Sequence, residues 1–127
     1  MSNDQLICQE FARIIGGQEG FAGGKCVATI NRNEIKAIIL GKRFRVTSSF
    51  SFESRNNRTG RALCLGRVAL LQEEVDNFVA SILKQGITVS SVHNEWFFDD
   101  PNLTYVNIED LEDPLVFARK VRRALSR

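Results

Sequence analysis

The segment Val92-His93-Asn94-Glu95 contains the chain's one histidine. Side chains alternate between the two faces of a β-strand, so on an extended backbone His93 and Glu95 share a face with Val89 and Ser91. An imidazole beside a carboxylate can share a proton or supply two ligands to a divalent metal ion. A working metal site needs at least a third protein ligand and groups that orient the first ones. A neighbouring strand carrying Tyr105 and Asn107 would provide it, which makes His93, Glu95 and Asn107 the candidate metal-binding set, with Asn94 beside them. A purely structural role is the alternative, in which His93 closes a strand end and bonds to backbone or to Glu95. No organic cofactor is called for; a divalent metal is the one cofactor this segment could hold. Gly-x-Ser-x-Gly is absent, no cysteine has a histidine nearby in sequence, and one histidine cannot make His-Glu-x-x-His.

Trp96-Phe97-Phe98 follows at once, and then Asp99-Asp100-Pro101. Three aromatic side chains in a loop suit a lid or a partner-binding patch; alternatively two of them fold back over a small core. Charge is segregated along the chain. Lys42, Arg43, Arg45, Arg55, Arg58, Arg61 and Arg67 stand against Glu53 alone, whereas every charge from Glu95 to Asp113 is negative. Basic and acidic surfaces on one molecule favour association with a second copy or with another protein. Arg55, Arg58, Arg61 and Arg67, near Phe50 and Phe52, give a second alternative in which the hairpin grips nucleic acid. A net charge of +2 is too small to imply a polyanionic partner by itself. The cations of the last helix need no function, because positive charge near a helix C-terminus is favourable in its own right.

These groups must be positioned by elements legible as patterns. Leu6, Ile7, Phe11, Ile14 and Ile15 predict a helix over 4–15, closed by Gly16-Gly17. The glycine-rich stretch 16–24 matches neither phosphate-binding pattern and reads as a connector. Alternation predicts strands over 25–30, 35–39, 44–52 and 61–70, with Ser54–Gly60 as a hairpin tip. Val75, Phe78, Val79, Ile82 and Leu83 form the stripe of a second helix ending at Gly86. Strands at 87–92 and 103–108 follow, and Asp113-Pro114 supplies an N-cap and first-position proline for a helix running to about Leu125. The order α-β-β-β-β-α-β-β-α predicts an α+β fold, a largely antiparallel sheet of about six strands with helices packed mainly on one face.

The length of 127 residues suits a single domain spanning 1–127, and the 43% apolar and 25% charged content is that of an ordinary globular protein. No apolar run approaches the roughly 20 residues of a membrane span, so no membrane partner is expected. The opening Met1-Ser2-Asn3-Asp4 lacks the basic and apolar regions of a secretory signal. Cys8, Cys26 and Cys64 are odd in number and widely spaced, which predicts reduced, mostly buried thiols and a cytoplasmic location.

Leu65-Gly66-Arg67, Glu74-Val75, Gly86-Ile87-Thr88-Val89, His93-Asn94-Glu95, Pro101 leading to Asn107, Glu112-Asp113-Pro114, and Ala118 with Val121-Arg122-Arg123-Ala124-Leu125 occur in that order. On these motifs, from about Phe11 onward, the chain resembles the LppY/LpqO-like family known from mycobacterial lipoproteins and related bacterial proteins. The resemblance implies an aspartate at the position of Arg67, a histidine at Glu95 and another at Asn107. In relatives those groups would converge with His93-Asn94 on a metal or acid/base site. Here the scaffold motifs are kept and three polar positions differ, one of them now a cation. The expectation is a non-catalytic binding or assembly module, with a degenerate metal-binding or hydrolytic site as the alternative. The family's lipoprotein members imply export, which the N-terminal segment does not support.

Overall fold

A hydrophobic alternation over Ala62–Leu71 (β6) and Leu103–Glu112 (β9) organises the molecule. The two strands pair antiparallel over their whole length, from Ala62 opposite Glu112 to Leu71 opposite Leu103. Cys64, Val68, Leu70, Val106 and Ile108 thereby face one side and are buried. Around this pair the remaining strands complete a six-stranded antiparallel sheet in the order β1-β2-β5-β6-β9-β7. Its other members are Gln18–Ala22 (β1), Lys25–Asn31 (β2), Thr47–Glu53 (β5) and Thr88–Asn94 (β7). The fold is α+β, as expected, in a computed structural model that describes residues 3–126. Met1 and Ser2, read with the N-terminal segment, lie outside the described residues.

Three helices, Asn3–Ile15 (α1), Gln72–Lys84 (α2) and Pro114–Leu125 (α3), cover the apolar side of the sheet. Phe11 of α1 packs edge-on against Phe52, with ring centroids 5.1 Å apart, and is stacked on Phe117 of α3 at 6.4 Å. Each such fully buried aromatic contributes about 1.5–3 kcal/mol of hydrophobic free energy. The predicted cap of α3 is present: the Asp113 carboxylate accepts bonds from the Leu115 and Val116 amides, and Pro114 opens the helix. At α2, Glu74 reaches back to the Leu71 amide at 2.8 Å. Among the described residues no helix is long and apolar enough to cross a membrane.

Four local expectations are corrected. Residues 18–22, expected as connector, form the edge strand β1, because Gly23 and Gly24 take positive φ and turn the chain back onto β2. The expected strand 44–52 is two strands, Lys42–Phe44 (β4) and β5, since the chain changes sheets at Arg45-Val46. Val46 accordingly enters a second core with Ile35, Ala37, Ala69, Leu103 and Tyr105, while Phe50 and Phe52 enter the main one. That second core is closed by a small sheet in the order β4-β3-β8, where β3 is Ala37–Ile39 and β8 is Asp99–Asp100, within the expected loop. Finally, Cys8 and Cys26 are not reduced thiols. They form a disulfide, because α1 folds over β2 and brings their Cα atoms to 5.5 Å; Cys64 alone is free, and buried.

Two outcomes follow from this packing. A Cβ on Gly66 would lie 2.7 Å from Ile108 Cγ1 and 2.9 Å from Phe50 Cδ1, so Gly66→Ala overpacks the sheet–helix core. It is expected to destabilise the fold by about 1–3 kcal/mol, read as a lowered chemical-denaturation midpoint. Burial, with the Asp110 charge adding, pushes the Cys64 thiol up to about 12, which keeps it protonated and unreactive at neutral pH. A colourimetric thiol assay on unreduced protein should find no fast thiol when native and one when unfolded; three under denaturant alone would refute the Cys8–Cys26 bond.

Candidate functional site

The face of the large sheet opposite the helices carries the predicted chemistry. On β6 and β9 it presents Leu65, Arg67, Tyr105, Asn107 and Glu109, the alternates of the core-facing residues. Arg67 is the direct cross-strand partner of Asn107. The strand β7 lies on the other side of β9, with Ser91 opposite Asn107 and His93 opposite Tyr105. An irregularity between Val89 and Ser91 shifts the alternation there, so Val89 sits opposite core-facing Ile108 and packs against the helix-side core. The expected shared face of Val89 and His93 is thus corrected, while Ser91 and His93 do share one.

Glu95 lies just beyond β7, and its carboxylate meets both neighbours. Arg67 Nη2 donates to Glu95 Oε1 and Oε2 at 2.7 Å each, and His93 Nε2 lies 3.3 Å from Oε1. The same guanidinium stands over the Tyr105 ring, 4.3 Å from its centroid, a favourable cation–π geometry. The hydrogen bond from Arg67 holds the Glu95 carboxyl below the usual carboxylate range; partial burial opposes this, and the His93 contact adds to it. With side-chain exposures of 41% and 27%, the Arg67–Glu95 pair is worth at most about 1 kcal/mol. Its chemical effect is larger than its energetic one: Glu95 is kept ionised and both its oxygens are engaged.

Of the candidate metal set, His93 and Glu95 touch, and Asn107 lies one strand across, beside Arg67. Asn94 points the other way, where its side-chain oxygen accepts a bond from the Thr104 hydroxyl at 2.9 Å. Among the described residues no group of three or more His, Cys, Asp or Glu side chains is placed to hold a metal ion. A shallow cleft of about 300 Å³ opens alongside, lined by Lys25, Ser49, Ser51, Arg67, Asn107 and Glu109 among others. The hydroxyls of Ser49 and Ser51 and the amide of Asn107 make no side-chain hydrogen bond among the described residues. Sequence reasoning missed the two serines, although Ser49 and Ser51 alternate with core-facing Phe50 and Phe52 and so had to face away from the helices.

The other candidates divide. Trp96 folds back, donating from Nε1 to the Tyr105 hydroxyl at 3.2 Å and packing edge-on against Phe44, while Phe97 and Phe98 are exposed. Two of the three aromatics therefore project outward, and one closes the second core. Arg55 is held by Asp4 and Asn57; Arg58 and Arg61 stand exposed at the hairpin tip, and Arg67 is strands away on the open face. Phe50 and Phe52 are wholly buried, so the hairpin has no aromatic platform on which a base could stack.

Replacing Arg67 by methionine removes the main cause of the depressed Glu95 pKa. In Arg67→Met, the Glu95 carboxyl should titrate higher, nearer the ordinary value, as followed by carboxyl-carbon NMR. The linkage has a definite sign. A depressed folded pKa adds stability that is fully present above the unfolded value of about 4.3 and is lost as pH falls through the folded value. The stability gap between the two proteins should therefore narrow on acidification through that window. An unchanged Glu95 midpoint would show that Arg67 does not set it.

No curated protein matches the chain, and neither does any solved structure. A family model does match it, over residues 9–127, which is most of its length. The chain, with its open sheet face bearing Arg67, His93, Glu95 and Asn107, thus belongs to the family described as Domain of Unknown Function (DUF1259).

Proposed function

We propose that this domain is a non-catalytic binding module whose recognition surface is the cleft on the helix-free face of the sheet. The observation that carries this is the Arg67–Glu95 pair. A divalent ion approaching His93 and Glu95 would have to displace a guanidinium from the carboxylate and then sit beside its positive charge. Glu95 is disfavoured as a general acid as well, because the Arg67 guanidinium favours its ionised form. What the face offers instead is recognition: free serine hydroxyls, the Asn107 amide and the flanking charges of Lys25 and Glu109 around a small concavity. With Leu65 and Ile108 in the same lining, the cleft suits a small ligand held by a few hydrogen bonds against an apolar floor.

The resemblance to the LppY/LpqO-like family supports the same reading. The three positions where this chain differs from that pattern, Arg67, Glu95 and Asn107, are spatial neighbours of His93 in this fold. A scaffold carrying Asp, His and His there would gather metal-ligating side chains on one face; here the same backbone gathers an internal ion pair. The working compartment is better read from Cys8–Cys26 than from the N-terminal segment. Disulfides persist in oxidising surroundings and are rare in the cytoplasm, so we favour a non-reducing compartment over the cytoplasmic one expected earlier.

A thermal-shift panel of divalent metals on chelator-stripped protein tests the proposal, since binding to the folded state raises Tm by mass action. Wild type is expected to show no saturable shift, and Arg67→Asp to gain one that the additional change His93→Ala removes. A saturable shift in wild type that disappears in His93→Ala would overturn the non-catalytic reading. For the cleft itself, amide-shift mapping with a panel of small polar metabolites should move Ser49, Ser51 and Asn107 together. Binding confined to residues elsewhere would reject this surface.

A further inference from the structure

The small sheet turns one face inward, over the second core, and its other face outward. Ala37 and Phe44, cross-strand partners, point in. The outward row is Arg43–Ile38–Asp100, since Ile38 pairs with Arg43 on β4 and with Asp100 on β8, and all three are exposed. A cation, an apolar side chain and an anion thus stand side by side. The apolar centre continues past the row. The Leu40 amide donates to the Phe98 carbonyl at 3.4 Å, which joins the β3–β4 tip to the aromatic loop. Leu40, Phe97 and Phe98 are 73%, 96% and 66% exposed, and the two phenyl rings meet edge to face with centroids 6.3 Å apart. Exposed apolar side chains clustered in this way mark a contact surface.

From this arrangement we infer that the outer face of the small sheet is a self-complementary docking surface for a second copy of this chain. A two-fold axis through Ile38, normal to the row, lays Arg43 of each copy on Asp100 of the other while the apolar centres meet. Both charge pairs form at once, which is the requirement of an isologous contact. Arg45, two residues on from Arg43 and exposed, extends the basic flank. The neighbouring acid, Asp99, is engaged with the Leu103 amide at 2.8 Å, leaving Asp100 as the outward anion. A strand-addition contact is disfavoured because β4 has three residues and β8 two. An anionic lipid surface is disfavoured because Asp100, at one end of the row beside the apolar side chains, would face like charge. The surface is separate from the cleft, so its failure would leave the cleft reading standing.

The test is sedimentation velocity of the full chain over a concentration series at low and high salt. A monomer–dimer equilibrium that weakens with salt is expected. Arg43→Glu or Asp100→Lys alone should raise the dissociation constant by about tenfold or more, and the double swap should restore it to within about threefold of wild type. Phe97→Ser with Phe98→Ser should abolish association without lowering Tm, because neither ring contributes to a core. Persistent monomer up to about 1 mM, the weak end of specific affinities, would overturn the inference. So would a double swap no better than its single parents, or cosedimentation with phosphatidylserine vesicles in the absence of any dimer.

Discussion

Everything in this domain depends on the register of one strand pair. β6 and β9 are matched residue for residue over ten positions, and because side chains alternate, a slip of one would exchange the two faces completely. Val68, Leu70, Val106 and Ile108 would then meet water, and Arg67 and Asn107 would enter the helix-side core. The core therefore fixes the register, and the open face inherits its geometry without contributing much to its cost. Gly66 is the tightest point of that arrangement, where Phe50 and Ile108 close over a position with no room for a side chain. The cleft on that face is lined from strands of the sheet, so the register that sets the core also sets the spacing of its side chains.

A second constraint holds the turn from sheet to helix. Glu74 is buried at the start of α2, and Arg32 donates to both its oxygens at 2.6 and 2.9 Å while also reaching the Ala69 carbonyl. The Glu74 bond raises the Arg32 pKa above its already high value. A buried carboxylate without such partners would be strongly destabilising, and with them it is roughly balanced against its desolvation. The gain is positional: the end of β2, the end of β6 and the first turn of α2 are tied at one point.

How much of this was legible in the sequence depended on whether the signal was local. The α3 cap at Asp113-Pro114, the stripe of α2 at Val75, Phe78, Val79 and Ile82 and the alternation of β6 are properties of neighbouring residues and legible as such, whereas Leu83, expected in that stripe, is exposed because it falls at the stripe's edge. The edge strand β1, the division of β4 from β5 at Val46 and the Cys8–Cys26 bond are decided by which distant segment lies alongside, and periodicity is silent about that. The site shows the same division. His93 and Glu95 follow from period two, and Asn107 from a neighbouring strand. The irregularity that turns Val89 away, and the reach of Glu95 to Arg67 across twenty-eight residues, required the fold. Ser49 and Ser51 were the avoidable omission, since the Phe50–Phe52 alternation already assigned them to the outer face.

The Cys8–Cys26 bond joins residues eighteen positions apart and encloses the end of α1, all of β1 and the exposed Gly23-Gly24 turn. That part of the chain is consequently a closed covalent ring. A protease that cuts the turn opens the ring without releasing a fragment, and the edge strand stays tethered to the sheet it borders. An exposed turn near the N-terminal end of the described chain is thus a place where a single break releases nothing.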